Sequence, residues 1–400
     1  MLRHLAAWSL LACAASALRV ALRAGRQGLS PSLVRRRPLG ASMKAELSRL
    51  IERKDLSAEE TERIWTAMLT ENDPVVMGAL LVLLRAKGET PSEVAGMVRA
   101  MKAVCRPVSY PGKLLDIVGT GGDGADTINI STAAVVLSAA CGCKVAKAGN
   151  RSVSSRCGSA DVLEMLGVSI ELTPGQVAKT IADCGIGFMF APINHPAMKV
   201  VAPVRKQLGV RTAFNILGPL TNAAGAQHVL LGVFDAGLLE LMGSTLQELG
   251  QVEHGVIVHG CGLDEISPLG ASTIFELRNV APPGSPRRYE TKTYTLDPLE
   301  LGVARCQLAD LRGGDPEENA RAFREVLSGG AHSDAKRDAV VLNAGMGCYV
   351  YGLTDSIESG VRLARATLES GKALQTLEQW IASSQANAKL DIQYSQTASH

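Results

Sequence analysis

Three stretches of this 400-residue chain carry residue types whose spacing suits the holding of phosphate. The first is Gly119-Thr120-Gly121-Gly122-Asp123-Gly124, which follows the apolar run Leu114 to Val118. A strand ending in glycines lets successive amides crowd together and point at one centre, a nest for an anion. The second is Asn129, Ser131 and Thr132, with Ser131 and Thr132 opening a helix expected to reach about Ala140. Free N–H groups at a helix start, with hydroxyl donors beside them, make another anion site. The third is Lys147, expected at the end of the next strand and followed by Ala148-Gly149-Asn150-Arg151-Ser152. No Gly-Lys-Ser/Thr closes the glycine loop, so it is not a Walker loop. The glycine spacing also differs from a dinucleotide fingerprint, and Asp126 stands too close to serve a ribose.

A different chemistry is offered by Asp264-Glu265, in a loop after the apolar stretch Gly255 to Val258. Adjacent carboxylates at a strand end repel unless a cation compensates them. A Mg²⁺ ion shared between one or two carboxylates and substrate phosphates suits the pair, and a solvated acidic turn is the alternative. Arg205 and Arg211 flank the block that runs to Asn222. An arginine fork binds a carboxylate through two parallel hydrogen bonds, and nothing local selects one arginine over the other. His195 reads as structural. The nine cysteines form no CxxC pair, which suits buried thiols in a reducing compartment better than a disulfide framework.

The elements that must position these residues fall into two kinds. Residues 44–105 read as helices only: Ser57 caps one, Asp73-Pro74 opens a second and Thr90-Pro91 a third reaching about Cys105. From Lys113 the pattern alternates. Strands are expected at 114–118, ending at Val145-Ala146, at 168–172, 188–190, 228–234, 255–258 and 273–277, with helices at 160–166, 174–184 and 195–208. The last of these could return to pack on the first helices. Pro282 to Arg288 reads as a loop, helices dominate from Pro316, and a polar tail is expected from 386 to 400. Such alternation argues an α/β domain with a largely parallel sheet, over about 109–385, beside a small helical domain at 44–108.

The first 43 residues hold seven arginines and no acid. An apolar run from Leu5 to Leu18, ending in small residues, precedes an Arg-, Ser- and Gly-rich stretch. The order suits a signal followed by a transit segment, and hence a plastid address, with a mitochondrial one as the alternative. Beyond this leader 34 basic residues face 39 acidic ones, so the remainder carries about −5 and offers no global case for nucleic acid. No segment reads as membrane-spanning.

The blocks GTGGDGADTINIST (119–132), KAGNRSVSS (147–155), GSADVLEMLGV (158–168), PVRKQLGVRTAFNILGPLTN (203–222), HGCGLDEIS (259–267) and GGDPEENA (313–320) occur in that order. Together they resemble the anthranilate phosphoribosyltransferase family over about residues 44–385. The resemblance implies the fold shared with pyrimidine nucleoside phosphorylases, a small helical domain and a large α/β domain with a mostly parallel sheet. It also implies a homodimer through the helical domains. It implies Mg²⁺-dependent transfer of a phosphoribosyl group from phosphoribosyl pyrophosphate to anthranilate, in tryptophan biosynthesis. Gly119 to Asp123 match the segment holding pyrophosphate and ribose. Asn129, Ser131, Thr132 and Lys147 match phosphate or metal positions, Ser131 among the metal contacts. Asp264 and Glu265 match the Mg²⁺ pair. Asn150 and Arg205 match residues touching anthranilate, and Gly218 and Pro219 the wall of its pocket. Ala148 stands where the family usually has histidine.

Two other readings share parts of this pattern. A nucleoside phosphorylase of the same fold would not need the Asp-Glu pair. A non-catalytic nucleic-acid-binding relative fits poorly with an acidic chain.

Overall fold

A computed structural model describes residues 41–71, 73–152, 155–329 and 334–390. Most of the leader, residues 1–40, and the tail beyond Leu390 lie outside the described residues. Helix α1 (Ala41–Ile51) already includes the last three residues assigned to the leader.

Helices α2 (Ala58–Glu71), α3 (Pro74–Lys87) and α4 (Pro91–Ala103) begin where the capping residues lie. The Ser57 hydroxyl accepts the N–H of Glu60, Asp73 accepts those of Val75 and Val76, and Thr90 with Glu93 forms a reciprocal capping box. Each of these bonds satisfies amides that a helix start leaves unpaired.

The α/β portion contains β1 (Leu115–Gly119), α5 (Ile130–Cys141), β2 (Val145–Gly149), α6 (Ser159–Leu166), α7 (Pro174–Cys184) and β3 (Ile186–Phe190). The chain then passes through α8 (Ala191–Asn194), α9 (Met198–Leu208) and α10 (Phe214–Leu217) before β4 (His228–Gly232), α11 (Leu238–Leu249) and β5 (His254–His259). After β6 (Ser272–Asn279), β7 (Tyr289–Leu296) and α12 (Leu308–Leu311), it closes with α13 (Pro316–Leu327), α14 (Asp334–Tyr351), α15 (Ile357–Glu369) and α16 (Lys372–Ala388). The seven strands form one sheet in the order β3-β2-β1-β4-β5-β6-β7. The first five run parallel, and β6 and β7 are antiparallel additions. One face is covered by α5 and α14, the other by α7 and α11. Strands buried on both faces explain the unbroken apolar runs of β3 and β5. Helix α9 does pack back on α3, and Trp65 of α2 meets Phe214 of α10 at 5.3 Å between ring centroids.

Four sequence expectations are corrected, and one strand, β7, was not foreseen. Val145-Ala146 opens β2, so Lys147 is the central residue of that strand rather than its end. Residues 168–172 pair with no strand, although Val168, Ile170 and Leu172 are buried in alternation. Strand β7 occupies a stretch with no apolar period. His195 lies in the turn before α9. The polar tail cannot begin at 386, because α16 continues to Ala388 and Asn387 donates to Thr180 Oγ1 at 3.0 Å.

Candidate active site

The chain leaves β1 outward through β2 and β3 and returns to β4 on the other side of β1. Open α/β sheets bind ligands at such a switch point, beyond the carboxyl ends of the strands. Both strands end there in glycine, and Gly119 and Gly232 are register partners. Past Gly119 the loop turns through Gly121 (φ 65°) and Gly122 (φ 79°), which only glycine adopts without strain. Thr120 anchors the loop: its N–H donates to Gly232 O at 3.0 Å, and its hydroxyl accepts the N–H of Phe234 at 3.1 Å. Asp123 accepts the N–H of Ala125 at 3.1 Å.

The acid pair lies across these strand ends. Asp264 Oδ2 accepts the Gly121 N–H at 2.6 Å, and Glu265 Oε1 accepts the Ser131 N–H, at the start of α5, at 3.0 Å. Asp264 is buried and Glu265 partly so. Burial and the nearby Asp123 charge push Asp264 up to about 7. Burial and the Asp264 charge push Glu265 up to about 8. Lys147 is the cation in reach, donating to Ile117 O at 2.8 Å and to Ser131 Oγ at 3.4 Å. Burial lowers its own pKa, while Asp116, Glu265 and Asp264 pull it back up. Two adjacent carboxylates with one amide donor each are short of positive charge. Among the described residues no three His, Cys, Asp or Glu side chains form a metal-holding group. A two-carboxylate set suits Mg²⁺ that draws its other ligands from substrate phosphates and water.

Asn129 and Thr132 frame the start of α5 differently. Thr132 is buried. The Asn129 amide donates to Cys157 O at 3.1 Å and accepts from Asn319 at 3.0 Å, so α13 braces the helix start. That contact accounts for the 313–320 block.

The remaining residues lie beyond β2. Asn150 is exposed, with its Oδ1 on the Arg151 N–H at 2.8 Å. Gly218 and buried Pro219 form a tight 3₁₀ turn (Gly218–Leu220) that packs against β2. That turn is tied down by Asn222, whose amide donates to Asp116 Oδ2 at 2.7 Å and Ala146 O at 2.9 Å. Asp116 also accepts the N–H of Ala148 at 3.3 Å, and burial, opposed by Lys147 and Asn222, pushes it up to about 6. His195 is buried in the turn before α9, burial lowers its pKa, and its Nδ1 has no hydrogen-bond partner among the described residues.

The two arginines separate. Arg205 is half-buried and stands 5.6 Å from the Phe214 ring centroid, with no acidic partner among the described residues. Arg211 reaches the carbonyl of Gly122 and stacks on Phe234 at 4.1 Å. Sequence reasoning missed Asp116, Asn222, Gly232 and Phe234. The one signal on offer was Asp116, a charge inside an apolar strand. A wide surface depression of about 990 Å³, lined by Glu253, Arg287 and Tyr289 among others, shares no residue with this site.

Comparison with known proteins agrees with this geometry. Residues 44–105 match the helical bundle domain of a glycosyl transferase family, and residues 111–374 match its a/b domain. The anthranilate phosphoribosyltransferase of Methanosarcina acetivorans is 48% identical over 341 residues, 84% of this chain and 89% of that protein. That of Chlamydia felis is 43% identical over 85% of this chain and 96% of its own. The crystal structure of the Thermus thermophilus enzyme superposes with a TM-score of 0.77 at 45% identity, covering 85% of this chain and 99% of that one. The Saccharomyces cerevisiae enzyme in complex with PRPP and Mg gives 0.78 at 27% identity, over 87% and 99%.

Proposed function

This chain belongs to the anthranilate phosphoribosyltransferase family, and from that premise we infer that its cleft joins anthranilate to the phosphoribosyl group of phosphoribosyl pyrophosphate for tryptophan biosynthesis. The carrying observation is the Asp264-Glu265 pair, set against the Gly121 amide on one side and the Ser131 amide on the other. Asp264 and Glu265, with the Ser131 hydroxyl, hold the Mg²⁺ that accompanies the diphosphate. When bound, that ion neutralises charge developing on the leaving diphosphate.

The chain's own groups do the rest. The amides of Gly119 to Asp123, the start of α5 at Ser131 and Thr132, and Lys147 receive the phosphates. Arg205 holds the anthranilate carboxylate by its fork, Asn150 contacts the ring side, and Gly218 and Pro219 wall the pocket. The bond from C1′ to the diphosphate oxygen breaks, its electron pair leaving with pyrophosphate. The amine nitrogen forms the new bond to C1′ and releases its proton to solvent. An aromatic amine is a free base at neutral pH, so positioning rather than a strong general base carries the rate. The test is pyrophosphate release that depends on anthranilate. Asp264→Asn with Glu265→Gln should abolish it, and full turnover by that double variant would refute the assignment.

The same reading extends to assembly and address. Val75, Ala79, Val82 and Ala86 recur at helical spacing on α3, and Val75 and Val82 remain 74% and 44% exposed. This apolar stripe supports a homodimer through the helical domains. Val82→Asp should shift the mass measured by light scattering from dimer to monomer. The arginine-rich, acid-free leader supports a plastid address, and residues 1–43 fused to a fluorescent protein would test it by the compartment they reach. Among the described residues no helix is long and apolar enough to cross a membrane.

A further inference from the structure

Three neighbouring strands bring a glycine beneath the acid pair. Gly119 ends β1, Gly232 ends β4 and Gly260 follows β5. The loop after β5 doubles back over all three. A methyl group built on Gly260 would lie 2.0 Å from the carbonyl oxygen of Glu265. One on Gly119 would lie 2.2 Å from Oδ2 of Asp264. One on Gly232 would lie 1.6 Å from the Asp264 carbonyl oxygen, 2.4 Å from its carbon and 3.1 Å from its Cα.

The obstacle at Gly232 is backbone, so no side-chain rotation relieves it. Nor does Gly232 need to be glycine for its own conformation. It is buried in a strand and absent from the positive-φ residues, a setting where alanine ordinarily strengthens the strand. The three atoms nearest to a methyl group there all belong to the Asp264 main chain.

We propose that Gly232 is a positioning residue for the cation-holding pair: it lets the Asp264 backbone lie directly on the sheet edge, which aims Asp264 at the glycine loop and Glu265 at the start of α5. A methyl group there lifts the main chain at Asp264, and both carboxylates move with it. Metal sites lose affinity when the groups that orient their ligands are displaced, even though those groups never touch the ion. The inference rests on Asp264 and Glu265 being the cation-holding pair.

The experiment measures Mn²⁺, as a spin-active substitute for Mg²⁺, binding to the full chain with inorganic pyrophosphate present, read from the electron paramagnetic resonance of free Mn²⁺. Asp264→Asn with Glu265→Gln comes first, and wild-type binding there would sink the acid-pair assignment itself. With that assignment standing, Gly232→Ala should weaken Mn²⁺ by about 10- to 100-fold. Gly119→Ala should weaken it less, because its methyl presses mainly on the movable carboxylate of Asp264 and meets the Asp264 carbonyl oxygen only at 3.3 Å, against 1.6 Å from Gly232. Gly255→Ala, whose methyl meets Leu277 Cδ2 at 2.7 Å on β5, is the control for crowding the sheet and should keep wild-type affinity. Wild-type affinity in Gly232→Ala, or an equal loss in Gly255→Ala, overturns the proposal. Should Gly232→Ala fail to fold, Gly119→Ala decides: unchanged affinity there overturns it as well.

Discussion

The carboxylate of Asp264 accepts the backbone N–H of Gly121 at 2.6 Å, so a donor of the anion nest is engaged by one of the groups assigned to the cation. Glu265 engages the Ser131 amide in the same way. A diphosphate entering this site competes with an internal anion for each donor. Removing the internal anion should therefore have opposite effects with and without metal. By calorimetry, Asp264→Ala should bind inorganic pyrophosphate about 10-fold tighter than wild type in the absence of Mg²⁺, the scale of one hydrogen bond to a charged group. In saturating Mg²⁺ it should bind more weakly. The same rank order under both conditions would end this account.

Two sets of carboxylates act on stability in opposite directions. Asp264 and Glu265 have folded pKa values raised to about 7 and 8, so the metal-free folded chain binds more protons than the unfolded one above about pH 4. Stability then falls as pH rises toward 8. Glu276 is the reverse case. Burial alone would raise it, but His254, Tyr294 and Tyr349 bond its carboxylate and hold it at about 2. Its contribution, at most about 3 kcal/mol by the size of the shift, is complete above pH 4.5 and lost as pH falls toward 2. Melting scans without metal should show Asp264→Asn with Glu265→Gln flattening the alkaline slope and Glu276→Gln flattening the acid one. Unchanged slopes in either variant would contradict the corresponding assignment.

What could be read in advance was local. The glycine loop, the start of α5 and the capped helices each rest on a few consecutive residues. Residues 168–172 misled because burial alternates there as in a strand. The segment meets helices rather than a strand: Val168 N–H donates to Leu163 O at 2.9 Å and Ser169 N–H to Ser384 Oγ of α16 at 3.0 Å. Strand β7 escaped notice because it is a largely exposed edge strand, polar on both faces but paired along its length to β6. Asp116 and Asn222 are 106 positions apart, and no local pattern links them.

Arg205 and Arg211 could not be told apart in sequence, and their surroundings assign them different work. Arg205 keeps its fork free beside Phe214. Arg205→Lys should raise the KM for anthranilate about 10- to 100-fold with little change in that for phosphoribosyl pyrophosphate, since an ammonium cannot make two parallel bonds. Exposed Lys206→Ala should change neither constant. A wild-type anthranilate KM in the Arg205→Lys enzyme would exclude the carboxylate role.

Arg211 spends its guanidinium on the protein itself. It crosses from the segment after α9 to the Gly122 carbonyl and lies on Phe234, whose N–H is held by the Thr120 hydroxyl. Both ends of this clasp are in the glycine loop or fastened to it, and both contacts exist without substrate. A residue that only met phosphate would leave the free protein unchanged when removed. A clasp would not, because loop amides exchange through local opening. Hydrogen exchange of the ligand-free chain should therefore be faster across residues 119–124 in Arg211→Ala, with the core of α14 unaffected. Arg211→Lys should exchange at an intermediate rate, keeping a donor but losing the planar stack on Phe234. If exchange in the free protein is unaltered while the KM for phosphoribosyl pyrophosphate rises, Arg211 acts on the substrate directly and the clasp has no role.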